Sequence, residues 1–249
     1  MQSIYRVIQK KAVEIASHFP APEFYQDYRS VHEASRVFYK TDPIIGKLKS
    51  YVESHIENDF GHGMNHVVKV TIDAGTLVMI EAEKRGYSRK RTQRFVLTVQ
   101  CAGLLHDIKR KQKNHAIEGS RFARQLLQSY PLDSVEIEDI RLAIRNHEAF
   151  KSVELLSTPE GALISDCLYD ADKFRWGPDN FTETIWDMLE FSNAAIEGFI
   201  HRYPVGVEGL SRIKETFRTP TGKKYGPGFI DLGIAMGQEI YHYLKKTYG

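Results

Sequence analysis

Along the whole chain, apolar residues recur mostly at intervals of three and four, and nowhere does the alternation of a strand persist. That period lays an apolar stripe along one side of a helix, and the expected fold class is therefore all-α, a bundle of helices packed stripe against stripe. Proline and glycine set the boundaries. An opening amphipathic helix to about His18 is broken by FPAP, because proline removes a backbone donor and restrains the residue before it. Helices are expected from Pro22 to Tyr39 and from Pro43 to Glu57. The glycines of DFGHGMNH mark a loop leading into a long helix from Met64 to Arg85, closed by Gly86, and Ser88 caps the next one. Further helices are expected over Ala116 to Ser129, Val135 to Glu148, Pro159 to Phe174 and Glu183 to His201. A Gly/Pro-rich stretch from Pro204 to Pro227 then precedes a closing helix to about Thr247. No repeat or Gly/Ser linker divides the 249 residues, so residues 1–249 are expected to form a single helical domain.

Charge narrows the partners. Lys+Arg 34 against Asp+Glu 32 leaves a formal charge of +2, unlike a protein built around a long nucleic-acid duplex. Cys101 and Cys167 each fall in an apolar helical pattern and read as buried thiols of a reducing compartment. Lysines and a glutamate interrupt the N-terminal segment where a secretory signal needs an unbroken apolar core. Nor does any stretch approach the ~20 apolar residues that span a bilayer. A soluble, cytoplasmic protein with no membrane partner is the expectation.

The chemistry gathers at His106-Asp107, which ends the apolar run FVLTVQCAGLL. An imidazole and a carboxylate side by side have no packing reason to end such a run. His62 and His66 precede them, His115 and His147 follow, and then comes the triplet Asp170-Ala171-Asp172. His62 falls between two glycines in the loop, so His66 is the favoured ligand of that pair. The candidates sit near the ends of separate expected helices, where bundles assemble metal sites from inward-facing side chains. Imidazole holds borderline transition ions, while carboxylate lowers the net charge and can bridge two of them. Asp170 and Asp172 point about 200° apart on a helix and do not easily bind one ion together. Asp170 therefore reads as an outer carboxylate or a helix-facing acid.

The pieces HVVKV at His66, LLHDI at Leu104 to Ile108, HAIEGS at His115, IRNHE around His147 and DADKF from Asp170 resemble the HD superfamily of metal-dependent phosphohydrolases. The resemblance covers about residues 50–175, with helical extensions at 1–49 and 176–249, and lies nearest the small free-standing bacterial branch. It implies that His66, His106, Asp107 and Asp172 bind one divalent ion, and that His115 and His147 bind a second in branches that have two, with Asp107 as the bridge. Manganese, iron, cobalt, nickel or magnesium would all be admitted. The reaction implied is hydrolysis of a phosphate ester or anhydride by metal-bound hydroxide, with Asp107, Lys69 and Lys109 as the residues expected to serve catalysis. Lys69 stands where the family usually shows arginine, which puts bidentate phosphate recognition in doubt. Lys109 opens the run KRKQK, which is ordinarily a solvated loop but here adjoins the doublet, and it is favoured over Arg110 as a group entering the site.

Beyond the triplet, KFRWGPDNFTET departs from that branch. Trp176 and Phe181 there are expected either to pack or to line a pocket and stack on a base. Lys223 and Lys224, in a basic tail similar to that branch's, are candidates to fold back over the site. The GYP signature of cyclic dinucleotide phosphodiesterases and the acidic continuation of alarmone hydrolases are both missing. A small phosphorylated substrate, a nucleotide above all, is the leading expectation. HD-fold diiron oxygenases share the same ligand constellation, and a non-catalytic metal- or nucleotide-binding module remains the other rival.

Overall fold

The computed structural model describes residues 3–56 and 63–249, and among these there is no strand. The chain is all-α. Twelve α-helices follow one another among the described residues: α1 Ile4–Ala16, α2 Glu23–Asp27, α3 Arg29–Thr41, α4 Pro43–His55, α5 Met64–Lys84, α6 Arg89–Leu105, α7 His115–Leu127, α8 Ser134–Arg145, α9 Pro159–Phe174, α10 Ile185–Ser192, α11 Ile196–Ser211 and α12 Pro220–Tyr248. His62 and the first part of its loop lie outside the described residues.

Short side chains start several of these helices by accepting the N–H groups that a helix leaves unpaired at its first turn. Asp42 accepts from Ile44 and Ile45 ahead of α4, Ser88 from Arg91 at α6, and Asp133 forms a reciprocal box with Glu136 at α8. Thr158 and Thr219 cap α9 and α12, each followed by a proline whose fixed φ suits the first helical position. Gly86, at φ +71°, closes α5 in the left-handed conformation that glycine adopts without steric cost.

Three expected segments differ. The helix from Pro22 to Tyr39 is broken at Tyr28 (φ −113°, ψ 29°), which turns Phe24 into the core against Phe174 while Tyr28 meets Tyr225. The segment from Glu183 to His201 is interrupted by Asn193 in a left-handed conformation, φ 46°. The Gly/Pro-rich stretch is largely helical: Pro204 lies inside α11 and Pro227 inside α12. Each proline removes one helical hydrogen bond, but the buried faces on both sides, Tyr203 and Leu210 about Pro204 and Tyr225 and Phe229 about Pro227, outweigh that local loss.

The main core joins α3 through α9 to the start of α12, with Ile45, Leu48, Val70, Leu77, Val99, Leu104, Ile140 and Leu168 fully buried. A second cluster unites α1, α10, α11 and the far half of α12 around Ile8, Trp186 and Leu244. Ile234 touches both. Helices α5 and α6 lie against each other at unusual closeness, since a Cβ on Gly103 would stand 2.8 Å from the Cα of Thr71. Thr71 follows His66 by just over one turn and Gly103 precedes His106 by just under one. The crossing therefore sets the two histidines face to face.

Candidate metal centre

Five helix ends supply the site. His66 lies in the first turn of α5, His106 and Asp107 directly follow α6, His115 begins α7, His147 follows α8, and Asp172 lies in the last turn of α9. All six are buried, with exposures between 0% and 7%. Five of them form two groups that share Asp107, and Asp172 stands beside the first. In the first, Nε2 of His66 is 3.2 Å from Nε2 of His106, 3.3 Å from Oδ1 of Asp172 and 3.9 Å from Oδ2 of Asp107. His106 Nε2 is in turn 3.6 Å from that Asp107 oxygen. In the second group, Nε2 of His115 and Nε2 of His147 each lie 3.5 Å from Oδ1 of Asp107.

Backbone carbonyls orient two of the rings. Nδ1 of His106 donates to the carbonyl of Gly103 at 2.7 Å, and Nδ1 of His147 to that of Ile144 at 2.6 Å. A neutral ring whose Nδ1 carries the proton presents a bare Nε2, so these two nitrogens turn lone pairs inward. Burial drives the His106 imidazole down to about 3 and the His115 imidazole to about 4, which keeps both neutral and able to ligate at pH 7. For Asp172, burial alone would raise the carboxyl. The Lys173 ammonium, with a hydrogen bond from His66, outweighs it and holds the group well below the usual carboxylate range. Neutral imidazole nitrogens and anionic oxygens converging on two points fit divalent ions of the transition series, and His66, His106, Asp107 and Asp172 would hold one while Asp107, His115 and His147 hold another.

The remaining sequence candidates separate. Asp170 faces away from the centre: its oxygens accept from the backbone N–H groups of Arg218 and Thr219 and from the Thr219 hydroxyl, all at 2.7 to 2.8 Å, which latches the start of α12. The Lys69 ammonium lies between Asp179 at 2.8 Å and Glu183 at 2.7 Å, on the wall of a separate cavity of about 390 Å³. The Lys109 ammonium rests over the Phe122 ring at 4.3 Å, and the structure does not bring it to the centre. Arg110, one residue on, reaches His115 Nε2 at 3.0 Å and Asp107 Oδ1 at 3.8 Å. Phe181 is buried in the second cluster, and Lys224 pairs with the Tyr225 hydroxyl; neither lines the mouth of the centre. Lys223 does not line it either. Trp176 does.

That mouth, about 200 Å³, is lined by Asp107, His147 and Asp172 together with Arg110, Glu148, Phe150, Lys173 and Trp176. Lys173 is buried, paired with Asp172 and within reach of the Tyr169 and Trp176 rings. The sequence reading gave Lys173, Glu148 and Phe150 no role. Helical spacing carries a signal for the first, since Lys173 adjoins Asp172 in the last turn of α9 and stands three residues before Trp176, which lies just past the helix end. Glu148 and Phe150 sit on a loop, where no periodicity operates.

Residues 63–176 match the family model of the HD domain. The chain carries an HD domain. Every described member of the two histidine groups falls within it, and the HD domain accordingly runs from α5 to the end of α9. A solved structure described as a predicted HD superfamily hydrolase from an uncultured Thermotogales bacterium aligns at 21% identity and a TM-score of 0.49, over 81% of this chain and 93% of that one. No curated protein matches the chain. No helix among the described residues is long and apolar enough to cross a membrane.

Proposed function

We propose that the protein is a metal-dependent phosphohydrolase acting on a small phosphate ester or anhydride. The observation that carries this reading is Asp107, whose two oxygens face two different histidine pairs, as a bridging carboxylate between a pair of ions requires. Ions held there supply a lowered pKa for bound water and polarisation of a phosphoryl oxygen. The chain's own groups set the rest of the chemistry. His106 and His115 remain neutral donors, His66 and His147 turn ring nitrogens to the same centre, Asp107 and Asp172 offset cationic charge, and the buried setting strengthens every charge interaction with a phosphate. Arg110 offers a forked guanidinium at the centre's edge, suited to phosphate oxygens. Lys173 offers a second cation on the pocket wall. Glu148, at the same mouth and 4.0 Å from His115 Nδ1, is placed to pass a proton to or from a leaving oxygen.

Cations at the mouth favour phosphate over the oxygen chemistry that related ligand sets support. The deciding experiment is a hydrolysis screen over nucleotides and generic phosphate esters with Mn2+, Fe2+, Co2+, Ni2+ or Mg2+ added, run beside oxygen-consumption measurements. Phosphate release that vanishes on chelation and in Asp107→Ala supports the proposal. Oxygen uptake without phosphate release with any substrate would replace it.

A further inference from the structure

Acids beyond the HD domain reach back to the first turn of α5. Residues Asn180–Thr184 form a π-helical turn, an arrangement that recurs at functional sites, and Asp179 and Glu183 stand four apart along it. The Glu183 carboxylate accepts from Asn65 Nδ2 at 2.7 Å through one oxygen and from the Lys69 ammonium at 2.7 Å through the other. Asn65 and Lys69 are four apart on α5, and His66 lies between them. Asp179 divides its oxygens in the same way: Oδ1 accepts from Lys69 at 2.8 Å, and Oδ2 from Arg175, three residues past Asp172, at 2.5 Å. Arg175 is buried and completes the tie. Its other amino group meets Asp73, seven residues beyond His66 on α5, at 2.5 Å and the Tyr25 hydroxyl at 2.6 Å.

We infer that Asp179 and Glu183 are positioning residues for the ion that His66, His106, Asp107 and Asp172 would hold: they fix the first turn of α5 against the end of α9 and so set His66 opposite Asp172. This rests on the reading of the centre as a metal site. The segment RWGPDNFTET, where the chain departs from the branch it resembles, thereby gains a task. Lys69 becomes the counter-charge of the two acids. With carboxylates at 2.8 and 2.7 Å, its ammonium has little attraction left for a phosphate dianion, which both acids repel. Stability alone does not account for the network. A partly exposed pair such as Lys69–Glu183 adds little, and a buried one such as Arg175–Asp73 does no better than apolar packing, whereas both fix which residues meet. Position matters at a coordination sphere, because His66 and Asp172 come from different helices and must converge on one point.

The test is Mn2+ affinity by calorimetry on the full-length protein, in a His115→Ala background that removes a ligand of the other ion and so isolates this one. Glu183→Ala and Asp179→Ala should each weaken Mn2+ binding about tenfold, the low end of what loss of an orienting partner costs, with helical content unchanged. Co2+ bound in place of Mn2+ should show an altered visible spectrum in both, which a loss of stability alone does not produce. Lys69→Met should match them, and Lys69→Arg, whose fork still spans two carboxylates, should restore the affinity. Should either acidic variant fail to fold, the comparison of methionine with arginine at Lys69 decides. Unchanged Mn2+ affinity in folded Glu183→Ala and Asp179→Ala would overturn the inference. So would a Lys69→Met protein that keeps Mn2+ but loses inorganic phosphate, since Lys69 would then be a phosphate ligand. A native chain that takes up neither Mn2+ nor Co2+ would discard the metal reading of the centre, and the inference with it.

Discussion

Nε2 of His115 and Nε2 of His147 stand 3.3 Å apart, brought together from the start of α7 and the end of α8, with one oxygen of Asp107 3.5 Å from each. His66 and His106 repeat the relationship on the other oxygen. Two nitrogens at this separation repel unless a proton or a metal lies between them, and burial disfavours the proton. Replacing His115 or His147 by alanine should therefore lower bound metal by one ion per chain and spare the other, as read by elemental analysis after dialysis. Alanine at His106 or Asp107 should abolish retention altogether while leaving helical content unchanged by circular dichroism.

Asp170 and Asp172 make a pair of opposites. Asp172→Ala should release metal and also cost about 3–5 kcal/mol, since it strips the buried Lys173 ammonium of its partner. Asp170→Ala should retain metal yet cost about 2–4 kcal/mol, because three buried donors at Arg218 and Thr219 lose their acceptor. Chemical denaturation and metal analysis on both variants give the comparison, and the reverse pattern would contradict the assignment.

Gly103 and Gly119 separate tight from tolerant packing. A methyl at Gly103 meets Thr71 backbone at 2.8 Å, so Gly103→Ala should cost about 1–3 kcal/mol and weaken metal binding by displacing His106. Nothing stands closer than 3.5 Å to a Cβ at Gly119, where alanine should instead stabilise helix α7 by about 0.5–1 kcal/mol. Thermal melts of the two variants should move in opposite directions.

Asp139, buried in α8 beside Gly161, gives a pH test away from the centre. Burial, with Glu160 and other acids adding to it, pushes its carboxyl from 3.8 up to about 6. The folded chain thus prefers the neutral acid, and the stability this group permits below pH 3.8 is lost as pH rises through about 6. Asp139→Asn should match the native protein at pH 4 and exceed it at pH 8 by about 1 kcal/mol or more. An advantage that shrinks with rising pH would refute this.

Relief of strain supplies another prediction. Phe150→Asn, suited to positive φ, should raise stability by about 1 kcal/mol. Equilibrium unfolding reads the gain, and an unchanged or lower stability would refute it.

Much of this was legible in the chain itself. The period of three and four yields an all-α chain, and α9 begins and ends at the expected Pro159 and Phe174 because threonine, proline and an uninterrupted apolar stripe agree there. His66, His106, Asp107, His115, His147 and Asp172 converge, as separate helix ends allow. What escaped depends on the third dimension. Pro204 and Pro227 sit inside helices because the faces they interrupt are buried on both sides, which local propensity does not encode. Whether Lys109 or Arg110 reaches the centre turns on a single rotation in the turn after α6, where Phe122 receives one and His115 the other. Phe150 lies in a loop whose course is set by Asn146, and no repeat in the sequence announces it.

The latch on Asp170 makes α9 a shared axle. One side grips the first turn of the C-terminal helix and the other, half a turn along, carries Asp172 into the centre. A bulky tag, a docked protein or a truncation that strains α12 would be felt at the coordination sphere through a single rigid segment, although the last thirty residues contribute no side chain to the mouth itself.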